Sequence, residues 1–297
     1  MMRSPSRIAV AVRCGDGSVS TMEKPFTSIT RRVRALGIPV VRGAVSLFET
    51  LYLGISALNF SADEATKGDA PAGGAKTSGL MGAAQVLAFV LSIGLGLLLF
   101  VVLPARLTAW LGFHDHLGFG LVDGLFRLLA FIGYLLLISQ WRELARVLGY
   151  HGAEHKAIHA LESRAPLTPE SVQSFSRFHP RCGTSFLFLV VLVSIVVFTI
   201  IGRPRGIGDH LLRVACMPLI AGVAFEFIRL SGKYADRPAF RAIIWPGLQF
   251  QRLTTREPDL SMCEVAISAL ELVRNDEMVV ALERKGAPAR PEVAFIQ

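Results

Sequence analysis

The segment 151–159 contains the residues of this sequence whose types and spacing best suit chemistry. Three histidines follow one another at four-residue intervals, at His151, His155 and His159. A helix would align them along one side, with Glu154 beside that row. The order His151-x-x-Glu154-His155 is that of the inverzincins, in which two histidines hold zinc and the glutamate is the general base. We therefore predict a divalent metal site, zinc by preference, with Glu154 as the catalytic base.

Helix geometry limits how many of these histidines can share one ion. A rise of about 1.5 Å per residue separates His151 from His159 by about 12 Å, whereas a Zn–N bond is only about 2.0–2.1 Å long. One ion can therefore take His155 with either neighbour, and both choices remain open. Further donors stand at His179 and Cys182, directly before an apolar run, where a helix N-terminus would favour the thiolate. Three protein ligands would leave a position for water and four would close the site, so a catalytic and a structural metal both remain alternatives.

The composition indicates that these residues belong to a membrane protein. Of the 297 residues, 52% are hydrophobic and 18% are charged, against about 45–50% and about 25% in soluble domains. We attribute the net charge of +8 to lysines and arginines beside anionic lipid, and expect the bilayer rather than nucleic acid as partner. A membrane-protein partner is a further expectation. The four cysteines are scattered without a CxxC motif, which argues against a disulfide framework.

Four apolar segments are predicted to cross the membrane, since a bilayer core of about 30 Å needs about 20 residues of helix. They are residues 77–105, 118–140, 182–202 and 210–231. Two of them contain charges at helical spacing, Asp123 with Arg127 and Glu226 with Arg229. These could form intramembrane polar pairs, or the charges could lie near helix ends and reach the interface.

A fifth apolar stretch, residues 36–58, contains Arg42 and Glu49. If it also crossed the membrane, the basic loop 141–181 would lie outside, against the usual bias of lysine and arginine towards the cytoplasm. We therefore predict an interfacial or re-entrant helix here, four transmembrane helices in the cell (inner) membrane, and both termini in the cytoplasm.

The predicted fold is mainly α, a polytopic helical membrane protein with a small N-terminal β-hairpin at a Gly-Asp-Gly turn. The predicted segments are a cytoplasmic β-hairpin segment (1–35), an interfacial or re-entrant helix (36–60), a flexible linker (61–79), a membrane domain (80–232) with the His-rich cytoplasmic loop 141–182, and a C-terminal cytoplasmic tail (233–297). In that tail a capping-box pattern from Ser261 to Glu264 predicts a helix that ends near Val273.

Four ordered motifs resemble the YqhQ-like family of bacterial membrane proteins of unknown function. They are Met1-Met-Arg-Ser-Pro5, Tyr150-His-Gly-Ala-Glu-His-Lys156, His179-Pro-Arg-Cys-Gly-Thr184 and Pro246-Gly-Leu-Gln-Phe-Gln-Arg-Leu-Thr-Thr-Arg-Glu-Pro258. The family is labelled a predicted metal-dependent enzyme, without an established reaction. The resemblance places His151, Glu154, His155 and His159 in one family motif and His179 and Cys182 in another.

Three functions are consistent with the sequence. The first is a metal-dependent membrane enzyme, a hydrolase at the cytoplasmic face, in which zinc activates water and Glu154 accepts its proton. The second is a non-enzymatic scaffold or assembly factor with a structural metal site. The third is an ion or metal transporter, which requires the charges of the intramembrane pairs to face one cavity. A polar network without metal is the remaining interpretation of the histidines.

Overall fold

The computed structural model describes residues 1–66, 79–179, 182–233 and 238–274, and these are mostly helical. The chain divides into two compact units. Unit 1 comprises Met1–Gly68, Leu137–Leu189 and Gly222–Gln297, and unit 2 comprises Asp69–Leu136 and Val190–Ala221.

The elements of the described residues follow in chain order. The strands are β1 (Met2–Arg3), β2 (Arg7–Arg13) and β3 (Val19–Pro25). The helices are α1 (Ile29–Arg32), α2 (Val41–Thr66), α3 (Gly79–Leu97), α4 (Leu103–Trp110), α5 (His116–Ile138), α6 (Arg142–Glu162), α7 (Pro169–Gln173), α8 (Gly183–Ile201), α9 (Ile207–Ala215), α10 (Met217–Lys233), α11 (Pro238–Thr254) and α12 (Leu260–Val273). A π-helical segment, Leu98–Val102, joins α3 to α4.

The N-terminal strands form an antiparallel sheet in the order β1-β2-β3. Ala9 of β2 pairs with Met2 on one side and with Glu23 on the other. The turn between β2 and β3 contains Gly17 at φ 86°, a conformation that glycine adopts without steric cost. The predicted hairpin is confirmed, and the short strand β1 extends it.

The sheet, α6, α7 and α12 share one apolar core in unit 1. Met2 and Ala9 of the sheet meet Ile158 of α6 and Leu270 of α12 there, all of them buried. The C-terminal segment is therefore not only a tail, because α12 is part of this core. The helix begins two residues earlier than the capping-box pattern suggested: its N-cap is Asp259, whose carboxylate accepts a hydrogen bond from the amide of residue 262.

Among the described residues, four stretches are long and apolar enough to cross a membrane. They are Val41–Glu64, Val86–Trp110, His116–Ile138 and Ile207–Leu230. Three of them agree with predicted spans. The first is the stretch predicted as interfacial, and the predicted span at 182–202 yields a shorter apolar helix, Ser185–Ile201. Helix α2 also continues to Thr66, into the predicted linker, whose residues 67–78 lie outside the described chain.

Glycines set close helix contacts in unit 2. A Cβ on Gly120 of α5 would lie 1.9 Å from Oγ1 of Thr199 on α8, and one on Gly124 would lie 2.6 Å from the side chain of Ile195. Larger residues at these positions would therefore separate the helices. This close approach holds Asp123, which lies between the two glycines, in the interior of the unit, where it is 1% exposed.

Candidate metal centre

Two histidines of α6 and one cysteine converge in unit 1. The Nε2 atoms of His151 and His155 are 2.9 Å apart, and Sγ of Cys182 lies 3.3 Å from Nε2 of His151. The three donor atoms lie within 4.8 Å of one another. We call these residues the first donor group. His151 is 8% exposed and the other two are fully buried, so the group is shielded from solvent.

The backbone around α6 explains how this group is assembled. Residues 151 and 155 are one helical turn apart, which puts both imidazoles on one side of α6. Between them, Gly152 allows the link between α11 and α12 to lie against the helix, since a Cβ there would come within 2.1 Å of the carbonyl oxygen of Arg256. The same approach brings the end of α11, at Thr254, to the ring of His151.

Hydrogen bonds to the backbone fix which ring nitrogen of each histidine is protonated. Nδ1 of His151 lies 2.7 Å from the carbonyl oxygen of Thr254, and Nδ1 of His155 lies 2.5 Å from that of Arg177. A carbonyl oxygen can only accept, so each Nδ1 must carry a proton and donate. A neutral imidazole carries one such proton. Both Nε2 atoms therefore present lone pairs, which is the arrangement of metal-bound histidines.

Two lone pairs facing each other at 2.9 Å repel unless a cation lies between them. A proton would serve only if one imidazole became charged. Burial lowers the pKa of His151, and burial followed by the neighbouring His151 lowers the pKa of His155 well below its usual value. The environment thus disfavours the proton, and the arrangement suits a metal ion.

A second donor group adjoins the first. It consists of His159, Glu162 and His179, whose donor atoms also lie within 4.8 Å of one another. Nε2 of His179 is 3.5 Å from Oε2 of Glu162. The ring centre of His179 is 4.7 Å from that of His159 and 5.9 Å from that of His155. Sequence reasoning missed Glu162, although its position three residues after His159 places it on the same side of the helix.

A buried glutamine of α11 holds the segment that precedes Cys182. The side-chain oxygen of Gln251 accepts from the amide of His179 at 2.8 Å, and its nitrogen donates to the carbonyl of His179 at 2.7 Å. Gln251 is fully buried. This pair of hydrogen bonds fixes the backbone at the point where both donor groups take residues from it, and sequence reasoning did not assign Gln251 this role.

The predicted base, Glu154, belongs to neither donor group. Its carboxylate contacts the α-amino group of Met1. Its charge nevertheless acts on the first group, because it raises the pKa of His151 and so opposes part of the lowering by burial. The structure therefore puts Glu154 beside the candidate metal site and not among its donor atoms.

The predicted pair Asp123 and Arg127 is in contact, and a second arginine joins it. Oδ2 of Asp123 lies 2.8 Å from Nη2 of Arg127 and 3.3 Å from Nη1 of Arg213. Nη1 of Arg127 donates to Oγ of Ser194 at 3.2 Å. Both guanidinium groups lie over the ring of Phe198, at 4.4 and 4.8 Å from its centre. We call Asp123, Arg127 and Arg213 the buried charge cluster.

Glu226, for which a pair with Arg229 was predicted, forms its ion pair with a residue of another helix. Glu226 is bound by Arg42 of α2, whose Nε donates to Oε1 at 2.6 Å. The physical reason is a close helix crossing, where a Cβ on Gly43 would lie 2.9 Å from Cα of Gly222. This crossing brings an arginine from another helix to the carboxylate.

The chain is similar to a bacterial protein of unknown function and matches one family model. A Bacillus subtilis (strain 168) protein described as "Uncharacterized protein YqhQ" is 33% identical over 278 residues, which cover 89% of this chain and 86% of the relative. No solved structure matches. The family model DUF1385, described as a protein of unknown function, matches residues 38–276, a range that includes both donor groups. The chain therefore belongs to the DUF1385 family.

Proposed function

We propose that this protein is a metal-dependent membrane enzyme in which the first donor group holds one divalent ion, zinc by donor type, and uses it for hydrolysis. The observation that carries the proposal is the convergence of two imidazole lone pairs and a sulfur, each imidazole being fixed through Nδ1 by a carbonyl oxygen. Nitrogen and sulfur donors of this kind are those that zinc prefers.

The distances support zinc coordination. With Zn–N bonds of about 2.0–2.1 Å and a Zn–S bond of about 2.3 Å, tetrahedral ligands stand about 3.4 Å apart for two nitrogens and about 3.6 Å for nitrogen and sulfur. The corresponding distances here are 2.9 and 3.3 Å. Both differ from the tetrahedral values by about half an ångström or less, a change that small side-chain rotations can accommodate.

The number of donors supports a catalytic ion. Three protein ligands leave one tetrahedral position for water, whose pKa zinc lowers towards about 7. A proton acceptor is then needed. The second donor group supplies the carboxylate of Glu162, and Glu154 stands near His151. We propose that one of these two glutamates takes the proton. The variants Glu162→Gln and Glu154→Gln test which of them is the acceptor.

We propose a topology with both termini in the cytoplasm, and the core of unit 1 supports the part of it that puts the sheet and α12 on the same side of the membrane. The sheet, α6 and α12 share that core and so lie on one side of any membrane. An even number of crossings must therefore separate the sheet from α6. Since α3–α4 and α5 are more apolar than α2, these two form the crossings. Helices α8 and α9–α10 form the second pair.

Helix α2 then lies against the membrane without crossing it. Its exposed apolar residues recur along one side of the helix. They are Phe48, Leu51, Tyr52, Ile55 and Leu58. On another side, Glu49 is buried and accepts hydrogen bonds from Ser28 and Ile29. A row of apolar side chains opposite a polar contact is typical of interfacial helices.

Cobalt substitution tests the metal site and its open position together. Purified protein loaded with Co²⁺ should bind one ion per chain and show a thiolate-to-cobalt charge-transfer band. His155→Ala and Cys182→Ala should lose the ion, whereas His114→Ala, which removes an exposed histidine of unit 2, should keep it. Equal cobalt content in all variants, or none in the wild type, would overturn the proposal.

Azide binding distinguishes a catalytic metal site from a structural one. An open position should bind azide and shift the visible cobalt bands, whereas a closed site should leave the spectrum unchanged. The full burial of His155 and Cys182 favours the second candidate function, a scaffold with a structural metal. An unchanged spectrum would support that candidate. If azide binds, Glu162→Gln and Glu154→Gln should both retain cobalt, and the change at the glutamate nearer the bound water should lower the pKa of that water more, because loss of a negative charge favours hydroxide.

A further inference from the structure

A basic cleft lies at one end of the unit 2 helices, where α4 leads to α5 and α8 leads to α9. Its volume is about 740 Å³. The basic residues that line it are Arg106, His114, His116, Arg203, Arg205 and His210. The three arginines among them carry positive charge, which in a concave surface focuses the electrostatic field and attracts anions.

Among the described residues that line this cleft, only Asp209 is acidic, and backbone amides engage it. One oxygen of Asp209 accepts from the backbone amides of Arg205 and Gly206, at 2.6 and 3.2 Å. That carboxylate caps α9 and forms no ion pair within 4.0 Å with a lining arginine. Within the described residues, Arg106, Arg203 and Arg205 form no such pair with any carboxylate.

Further positive charge lies next to the cleft. Arg213 is on α9, one turn after the lining residue His210, and its Nη2 donates to the carbonyl of Gly202 at 2.9 Å, directly before the lining residue Arg203. The buried charge cluster to which Arg213 belongs has two guanidinium groups for one carboxylate. Its remaining positive charge adds to the potential at the cleft.

Exposed apolar residues belong to the segments that line the cleft. Ile207, a lining residue, is 80% exposed. Trp110, which follows the lining residue Ala109 in the chain, is 82% exposed, and Leu211, which follows the lining residue His210, is 63% exposed. Tryptophan and aliphatic side chains beside arginines are typical of the level of lipid headgroups. These segments therefore combine charges for a lipid phosphate with apolar side chains for its acyl chains.

We propose that this cleft binds a phosphate group, and that the phosphate is that of an anionic phospholipid headgroup. Arg203 and Arg205 hold the phosphate oxygens through charge-assisted hydrogen bonds. Arg203 is oriented for this by His114, whose Nδ1 accepts from its Nη1 at 2.5 Å. The proposal is independent of the metal site, which lies in unit 1.

Binding of short-chain lipids in non-ionic detergent tests the proposal. Dihexanoyl phosphatidylglycerol should bind to the wild-type protein at least tenfold more tightly than to the double variant Arg203→Ala/Arg205→Ala. The matched control, Arg32→Ala/Arg34→Ala, removes two exposed arginines of the N-terminal segment and should remain within twofold of the wild type. Arg106→Ala should give an intermediate loss. An unchanged unfolding temperature without lipid shows that each variant is folded.

Two further ligands identify the source of the phosphate. Dihexanoyl glycerol has the same chains without phosphate and should bind at least tenfold more weakly than phosphatidylglycerol. Inorganic phosphate that binds as tightly as the lipid, and only with both arginines present, would retain the phosphate site and assign it to the free ion. Equal affinity of wild type and double variant for phosphatidylglycerol would overturn the proposal, as would equal binding of dihexanoyl glycerol.

Discussion

The buried polar groups of the two units have opposite chemistry. In unit 1, the first donor group brings together two imidazole lone pairs and a sulfur. In unit 2, the buried charge cluster brings two guanidinium groups to a single carboxylate. The first arrangement has an excess of electron pairs and suits a cation, whereas the second has an excess of N–H donors and suits an anion.

This difference shows which buried clusters need a partner from outside the chain. Oδ1 of Asp123 and the Nε atoms of Arg127 and Arg213 are buried without a hydrogen-bond partner among the described residues, a costly condition for polar atoms. By contrast, Arg42 and Glu226 balance each other one to one. A balanced pair is complete in itself, and an unbalanced cluster is expected to recruit water or an ion.

The largest effect is expected from Asp123→Asn. This change leaves two buried guanidinium groups without a counter-charge and should lower the free energy of unfolding by about 3–5 kcal/mol. His151→Ala in metal-free protein should cost less than half as much, because it also removes the repulsion between facing lone pairs. Denaturant unfolding in detergent measures both. Equal losses in the two variants would contradict the comparison.

Stabilisation by zinc should also distinguish the two units, because it depends on residues of unit 1 and not of unit 2. At a free concentration 100 times its dissociation constant, an ion that binds only the folded state adds about 2.7 kcal/mol to the free energy of unfolding. The wild type and Arg106→Ala should show this gain as a higher unfolding temperature, and His155→Ala should not. A similar gain in His155→Ala would assign the zinc to another site.

Gln251→Ala should weaken metal binding without removing a ligand. It releases the backbone of His179 on both sides, and loss of such a supporting contact typically costs 10-fold to 100-fold in metal affinity. Competition with a chromophoric chelator measures the affinity. Gln249→Ala, on the same helix, is the control and should leave the affinity within twofold. An unchanged affinity in Gln251→Ala would mean that the hydrogen bonds between Gln251 and the backbone of His179 do not support the donor groups.

A smaller loss of stability is expected from changes to the ion pair between Arg42 and Glu226. Arg42→Gln and Glu226→Gln should each lower the free energy of unfolding by about 1 kcal/mol, since the pair is partly exposed. The double variant should lose less than the sum of the two, because neither charge is then left alone. A double-mutant cycle checks this. Strictly additive losses would show that the two side chains act independently.

The smallest effect concerns a thiol that has no metal partner in the proposal. Burial raises the pKa of Cys263 to about 11, and its S–H donates to the side-chain oxygen of Gln173 at 3.1 Å. At pH 8 its alkylation by a maleimide should be slower than that of the half-buried Cys14. The rate should rise as the pH approaches 11, since only the thiolate reacts. Equal rates at pH 8 would contradict the burial of Cys263.

Sequence patterns predicted the parts of this fold that depend on one element at a time. The hairpin, the apolar helices and the end of α12 at Val273 follow from local spacing and composition. The contribution of α12 to a core with the sheet did not, because an amphipathic helix shows that it has an apolar side and not what covers it. Likewise the pairing of Asp123 with Arg127 was predictable, and the approach of Arg213 from another helix was not.

The sequence by itself determined which residue types are present and which of them share one side of a helix, since helical periodicity fixes neighbours along a single element. Only the tertiary structure decided that His151 and His155 meet Cys182, and that Glu226 meets Arg42. Contacts between elements depend on how closely two backbones approach. Here that approach is set by single glycines, at positions 152, 43 and 222, whose partners no local pattern specifies.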